Sequence, residues 1–152
     1  MPVDTSALKS LDTKKIIEAI ENGVKEYWDY EDDDVTLYET DGYSGEDADV
    51  GATIVFTEDI DLTEKKAIAV DFKFDGNNAT DDLIIYLFKR RDDSWDDDEI
   101  AVWSATVDNN GSEDIYHFTI DESYGAGHFR FGLKSSGATT TFDCEIKGRY
   151  YQ

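Results

Sequence analysis

Residues 66–74 read KAIAVDFKF, and their alternation decides the fold. Ile68, Val70, Phe72 and Phe74 fall on one side of an extended chain, while Ala69, Asp71 and Lys73 fall on the other. A period of two marks a β-strand with one buried and one wet face. The same rule repeats downstream in residues 100–107, 115–120, 128–133 and 140–147, the last placing Cys144 on the inward side. Residues 83–88, LIIYLF, are apolar on both sides, as in a central strand covered twice or one that also meets a partner. Shorter runs at 35–40, 50–57 and 60–63 bring the expected total to eight or nine strands.

Turn chemistry separates these runs. Asp41-Gly42, Asp75-Gly76, Asn110-Gly111, Gly125-Ala126-Gly127 and Ser136-Gly137 all fall between them. Strands every 10 to 15 residues with no helical pattern between them predict an all-β fold, an antiparallel β-sandwich of jelly-roll or related Greek-key type. One helix precedes it. Ile16, Ile20 and Val24 recur at four-residue spacing with Ile17 beside them, and Asn22-Gly23 ends the run. About three turns do not hold in water alone, so this stripe is expected to dock on its own domain or on another subunit. The chain therefore divides into an N-terminal arm and docking helix, residues 1–30, and a sandwich, residues 31–152.

Composition narrows the function classes. The 152 residues carry 36 Asp+Glu against 14 Lys+Arg, a net charge of −22, which repels nucleic acid and anionic membranes. Ile, Leu, Val and Phe number 35, about 23%, above the roughly 20% below which acidic chains stay unfolded. No apolar run reaches a membrane span. The opening MPVDTSALKS has neither the basic start nor the apolar stretch of a signal peptide, which reads as a protein made in a cytoplasm. With Cys144 as the one cysteine, neither an internal disulfide nor a zinc site built on several cysteines can form.

The acids are segregated. Residues 31–64 hold thirteen and residues 92–122 eleven, with no Lys or Arg in either stretch. Loops of Asp, Asn and Gly supply the oxygens that Ca²⁺ prefers, so Asp92, Asp93, Asp96 and Asp98, together with Asp75, Asn77, Asp81 and Asp82, are the candidate ligands. Neither set follows the EF-hand code, and the competing reading is a solvated acidic surface. No cofactor is expected, with a structural Ca²⁺ in these loops as the alternative.

Trp95 stands in an otherwise acidic turn where no core pattern requires an aromatic ring, which makes it a candidate sugar-binding platform. The alternative is that it folds back over its loop or meets a subunit. Tyr27, Trp28 and Tyr30, in KEYWDYEDDD, form a second candidate platform, with Trp28 equally suited to anchoring the helix. Catalysis has little to stand on. His117 and His128 lie in strand patterns, no GxSxG, HExxH or P-loop occurs, and carboxylate pairs carry no information among so many acids.

The alternating strands KAIAVDFKF, DLIIYLFKRR and GHFRFGLKS, joined by the acidic turns DDSWDDDE and DNNGSED, resemble the jelly-roll virion proteins of tailed bacteriophages, the head decoration or auxiliary capsid type. The resemblance is architectural, spans roughly residues 35–152 and transfers no site residue. It implies a non-enzymatic protein, made in the host cytoplasm, that assembles on a virion head or tail. Its expected partners are a major capsid protein and its own copies, often as a trimer. The alternative is a carbohydrate-binding module, calcium-assisted, and an appendage that binds host glycans would satisfy both readings.

Overall fold

The computed structural model describes residues 34–96 and 98–151. The expected helix with Ile16, Ile17, Ile20 and Val24, the arm boundary at residue 30, and Tyr27, Trp28 and Tyr30 lie outside the described residues.

Among the described residues nine strands form: β1 (Val35–Glu39), β2 (Val55–Phe56), β3 (Ile60–Asp61), β4 (Ala67–Gly76), β5 (Leu83–Lys89), β6 (Ala101–Val107), β7 (Asp114–Ile120), β8 (His128–Ser135) and β9 (Phe142–Tyr151). Two short 3-10 turns, Asp41–Tyr43 and Glu122–Tyr124, lie in connections. One sheet has the order β1-β9-β4-β7; the other runs β2-β8-β5-β6, with β3 pairing β8 beyond β2. All strand pairs are antiparallel. Counting β2 and β3 as one broken strand, this is the eight-strand jelly-roll arrangement, as the turn spacing predicts.

The strands form where alternation puts apolar groups between the sheets. Ile68, Val70, Phe72 and Phe74 from β4 meet Phe129, Phe131 and Leu133 from β8 and Leu83, Ile85 and Leu87 from β5, all at most 1% exposed. Phe131 sits at the seam. Its ring meets Phe72 of the opposite sheet edge-on at 4.8 Å and Phe118 at 6.1 Å. Leu37 and Tyr38 are both buried although adjacent, because a register shift in the β1–β9 pairing between Thr36 and Tyr38 breaks the alternation there. The run 50–57 is less regular than expected: Val50 makes an isolated bridge to Phe142, and only Val55–Phe56 forms a strand.

The two outer faces differ in chemistry. Outside the first sheet lie Asp71, Lys73, Glu145, Lys147 and Arg149, with Lys73 and Lys147 each 3.9 Å from Glu145, and His117 paired to Asp71. Outside the second lie Ile84, Tyr86 and Phe88 of β5, Phe56 of β2, and Val102, Ser104 and Thr106 of β6. This explains why LIIYLF is apolar on both sides.

Truncating the seam should be costly. Phe131→Ala is expected to lower unfolding free energy by about 3–5 kcal/mol, read from urea denaturation. A loss below about 1 kcal/mol would mean that the two sheets do not meet there.

Candidate ligand-binding face

The outer surface of the second sheet is built around Gly132. A Cβ at that position would lie 2.7 Å from Ile54 Cδ1 and 2.8 Å from Phe88 Cε2, so the two side chains close over bare backbone. Gly132 pairs with Phe56 on one side and Tyr86 on the other, which sets aromatic rings in a row across the strands. Phe56 and Phe88 meet edge-on at 5.7 Å, and Tyr86 and Phe88 at 6.0 Å.

Trp95 joins this face from the loop between β5 and β6. The Arg130 guanidinium lies over Phe56, 3.7 Å from the ring centre, and over Trp95 at 4.4 Å, so one cation bridges two rings. The indole Nε1 donates to Asp59 Oδ1 at 3.0 Å, and Asp59 Oδ2 lies 2.7 Å from His128 Nδ1. His128 Nε2 is 3.8 Å from Asp61. The Thr63 hydroxyl and backbone N–H hold the Asp61 carboxyl below its ordinary value, with His128 and Arg90 adding to the effect. The result is a half-exposed aromatic strip ending in a hydrogen-bonding cluster of Trp95, Asp59, His128 and Asp61.

That arrangement suits stacking and hydrogen bonding more than bond-making. Cys144 is 1% exposed in the core, and burial pushes its thiol up, so it is not a nucleophile at neutral pH.

The expected metal ligands are dispersed. Asp81 accepts from the Thr139 and Thr140 N–H groups, Asp82 from Asn109 and Asn77 from Thr141, an arrangement that ties three loops together at one end of the sandwich. Asp96 and Asp98 pair with Arg91 at the opposite end, where the Asp92 side chain accepts from Ser94. Asp75 and Asp93 join neither group. Instead, Asp41, Asp49 and Asp143 bring carboxylate oxygens within 4.8 Å of one another, the one such acidic group among the described residues. These three could supply part of a hard cation's oxygen shell. Partial burial and the neighbouring Asp143 and Asp41 raise the Asp49 pKa.

Sequence reasoning singled out Trp95 but not Arg130, Phe56, Asp59 or His128. The available signal was residues 128–131, HFRF, where Arg130 stands between two inward phenylalanines and so must face out. The acidic trio gives no local signal, since its members lie up to 102 positions apart.

No protein-family model matches the chain, and no curated protein sequence matches it. Among solved structures, the chain is similar to a carbohydrate-binding module described as CBM4 (14% identity, TM-score 0.45, 64% of this chain and 61% of that one). It is also similar to the CBM22-1 xylan-binding domain from Paenibacillus barcinonensis Xyn10C (13%, TM-score 0.42, 82% and 86%). A third likeness is to infectious bursal disease virus, Gt strain (9%, TM-score 0.43, 78% of this chain and 31% of that one). The neighbours thus include both a virus and sugar-binding modules, and scores of this size leave the function to the site itself.

The raised Asp49 pKa fixes the sign of a prediction. The folded state holds that proton more tightly than the unfolded chain, so stability is present at low pH and lost as pH rises through the folded value. Asp49→Asn is therefore expected to raise the melting midpoint at pH 7 in chelator by at most about 3 °C, with the gain vanishing in acid. A midpoint that falls at pH 7 would mean that the trio is held by attraction.

Proposed function

We propose that this chain is a non-enzymatic recognition module that binds a polysaccharide along the outer face of its second sheet. The observation that carries the reading is the contrast between faces. Ion pairs cover the first sheet, whereas Phe56, Tyr86 and Phe88 line the second and run to Trp95. Sugar rings present C–H faces that stack on aromatic side chains and hydroxyls that need polar partners at their edges. Asp59, Asp61, His128 and Arg130 stand at one end of the strip, and the Ser104 and Thr106 hydroxyls stand along its side.

A second reading keeps the fold and changes the occupant. In a virion structural protein, the role that the phage resemblance implies, another protein chain would cover this surface. Ile100 and Val102, 84% and 49% exposed beside the strip, favour it, because aliphatic side chains are better buried by protein than by sugar. A glycan-binding appendage assembled on a virion would use both properties.

Affinity electrophoresis through soluble β-glucans, xylans and host-surface glycans tests the proposal. Retardation in at least one gel is expected, with Trp95→Ala weakening it about tenfold or more while the melting curve is unchanged. Equal retardation of Trp95→Ala, or none in any gel, would overturn the sugar reading and leave assembly as the better one.

A further inference from the structure

An asparagine followed by glycine holds a latent reaction in its own backbone. The glycine nitrogen can close on the asparagine side-chain carbonyl, because no Cβ crowds the attacking atom. The chain has five asparagines, and four of them, Asn77, Asn78, Asn109 and Asn110, sit in two neighbouring loops at the end of the sandwich opposite Trp95.

The fold treats these four differently. Asn78 donates its amide to the Thr139 carbonyl and to Asn77 Oδ1, and its own oxygen accepts from the Thr80 N–H and the Thr140 hydroxyl. Asn109, 8% exposed, donates to the carbonyls of Asn78 and Asp81. Asn77 Oδ1 accepts from Asn78 and from the Thr141 N–H, and no glycine follows it. Asn110 is exposed, its side-chain NH₂ donates to no described residue, and Gly111 follows with a φ of 83°. The Asn110 side-chain oxygen accepts twice, from the Ser112 N–H at 3.1 Å and from the Ser112 hydroxyl at 2.8 Å. The Gly111 N–H donates to Asn109 Oδ1 at 3.0 Å.

We propose that Asn110 is a site of spontaneous modification, converted by water to aspartate and isoaspartate through a cyclic imide. The Gly111 nitrogen attacks Asn110 Cγ. The N–Cγ bond forms, the Cγ–Nδ2 bond breaks, and ammonia leaves with the proton that Gly111 gives up. Water then opens the imide at either carbonyl: one product keeps the ordinary main chain, and the other routes it through the side chain. Negative charge builds on Asn110 Oδ1 as the nitrogen adds, and the two Ser112 donors are already aimed at that atom. An amide nitrogen attacks perpendicular to its own plane, so the in-plane bond to Asn109 Oδ1 leaves the approach open and draws on the proton that must depart. The leaving nitrogen has no hydrogen bond to a described residue to break, in contrast to those of Asn78 and Asn109.

Both products place a new negative charge beside Asp108, Glu113 and Asp114. Isoaspartate also lengthens the main chain by one carbon in a turn that packs on the 77–82 loop, where a Cβ at Gly111 would lie 3.3 Å from Ala79 Cβ. Asn109 in the same turn ties that loop down, so the aged chain is expected to melt at a lower temperature. The reaction does not depend on the proposed ligand.

Incubation of the full chain in mildly alkaline buffer, followed by peptide mapping that separates isoaspartate from aspartate, tests it. Asn110 is expected to convert while Asn77, Asn78 and Asn109 stay intact; Asn22-Gly23 falls in a different peptide. Ser112→Ala should slow the conversion about threefold or more, the worth of one hydrogen bond. Asn110→Gln, whose longer side chain closes the ring far more slowly, should leave the turn unmodified and hold its melting midpoint on incubation while that of the unsubstituted chain falls. An intact Asn110 beside a converted Asn77 or Asn109, or a Ser112→Ala chain that converts as fast or faster, would overturn the proposal.

Discussion

Phe131 meeting Phe72 across the gap between the sheets is the contact on which the rest of the molecule depends. Because side chains alternate along a strand, fixing Phe131 inward forces Arg130 and Gly132 outward, and fixing Phe72 inward forces Asp71 and Lys73 outward. A slip of one residue would bury the ion pairs of the first sheet and expose the phenylalanines. The seam therefore sets which chemistry each face shows. On the second sheet that chemistry is Gly132 as bare floor, Phe56, Tyr86 and Phe88 as rings, and Arg130 as the cation reaching Trp95.

The charge has a different logic. Acidic residues occupy connections at both ends of the sandwich, where water and salt screen them, with a Debye length of about 8 Å at physiological ionic strength. At one end, several side chains of the 77–82 loop are hydrogen-bond acceptors that hold neighbouring loops together. At the other, Asp59 and Asp61 flank His128, and Asp59 accepts from the Trp95 indole. These carboxylates accept specific N–H groups and so do more than keep the chain soluble.

Much of the fold was legible in the sequence because it rests on a local rule. β4 through β8 follow from alternation, and residues 83–88 announced a strand with two apolar faces before either neighbour was known. The misjudged ends have physical causes. The last run is expected to stop at residue 147, yet β9 continues to Tyr151 because β4 goes on pairing with it, Ile68 with Tyr150 and Ala67 with Tyr151, while the Ile68 side chain fills the space that a Cβ at Gly148 would need. The site was half legible. An indole alone in an acidic turn is visible from composition, whereas its stacking on Arg130, 35 positions away, and its bond to Asp59, 36 positions away, are tertiary facts. No local spacing encodes them.

The central claim is that the outer face of the second sheet receives the ligand while the first sheet faces water. Hydroxyl-radical footprinting with and without a retained polysaccharide tests it most directly. The account predicts that Phe56, Tyr86, Phe88 and Trp95 become protected while Ile115 and His117 on the opposite sheet stay as reactive as before. Protection on β4 and β7, with the four rings unchanged, would contradict it.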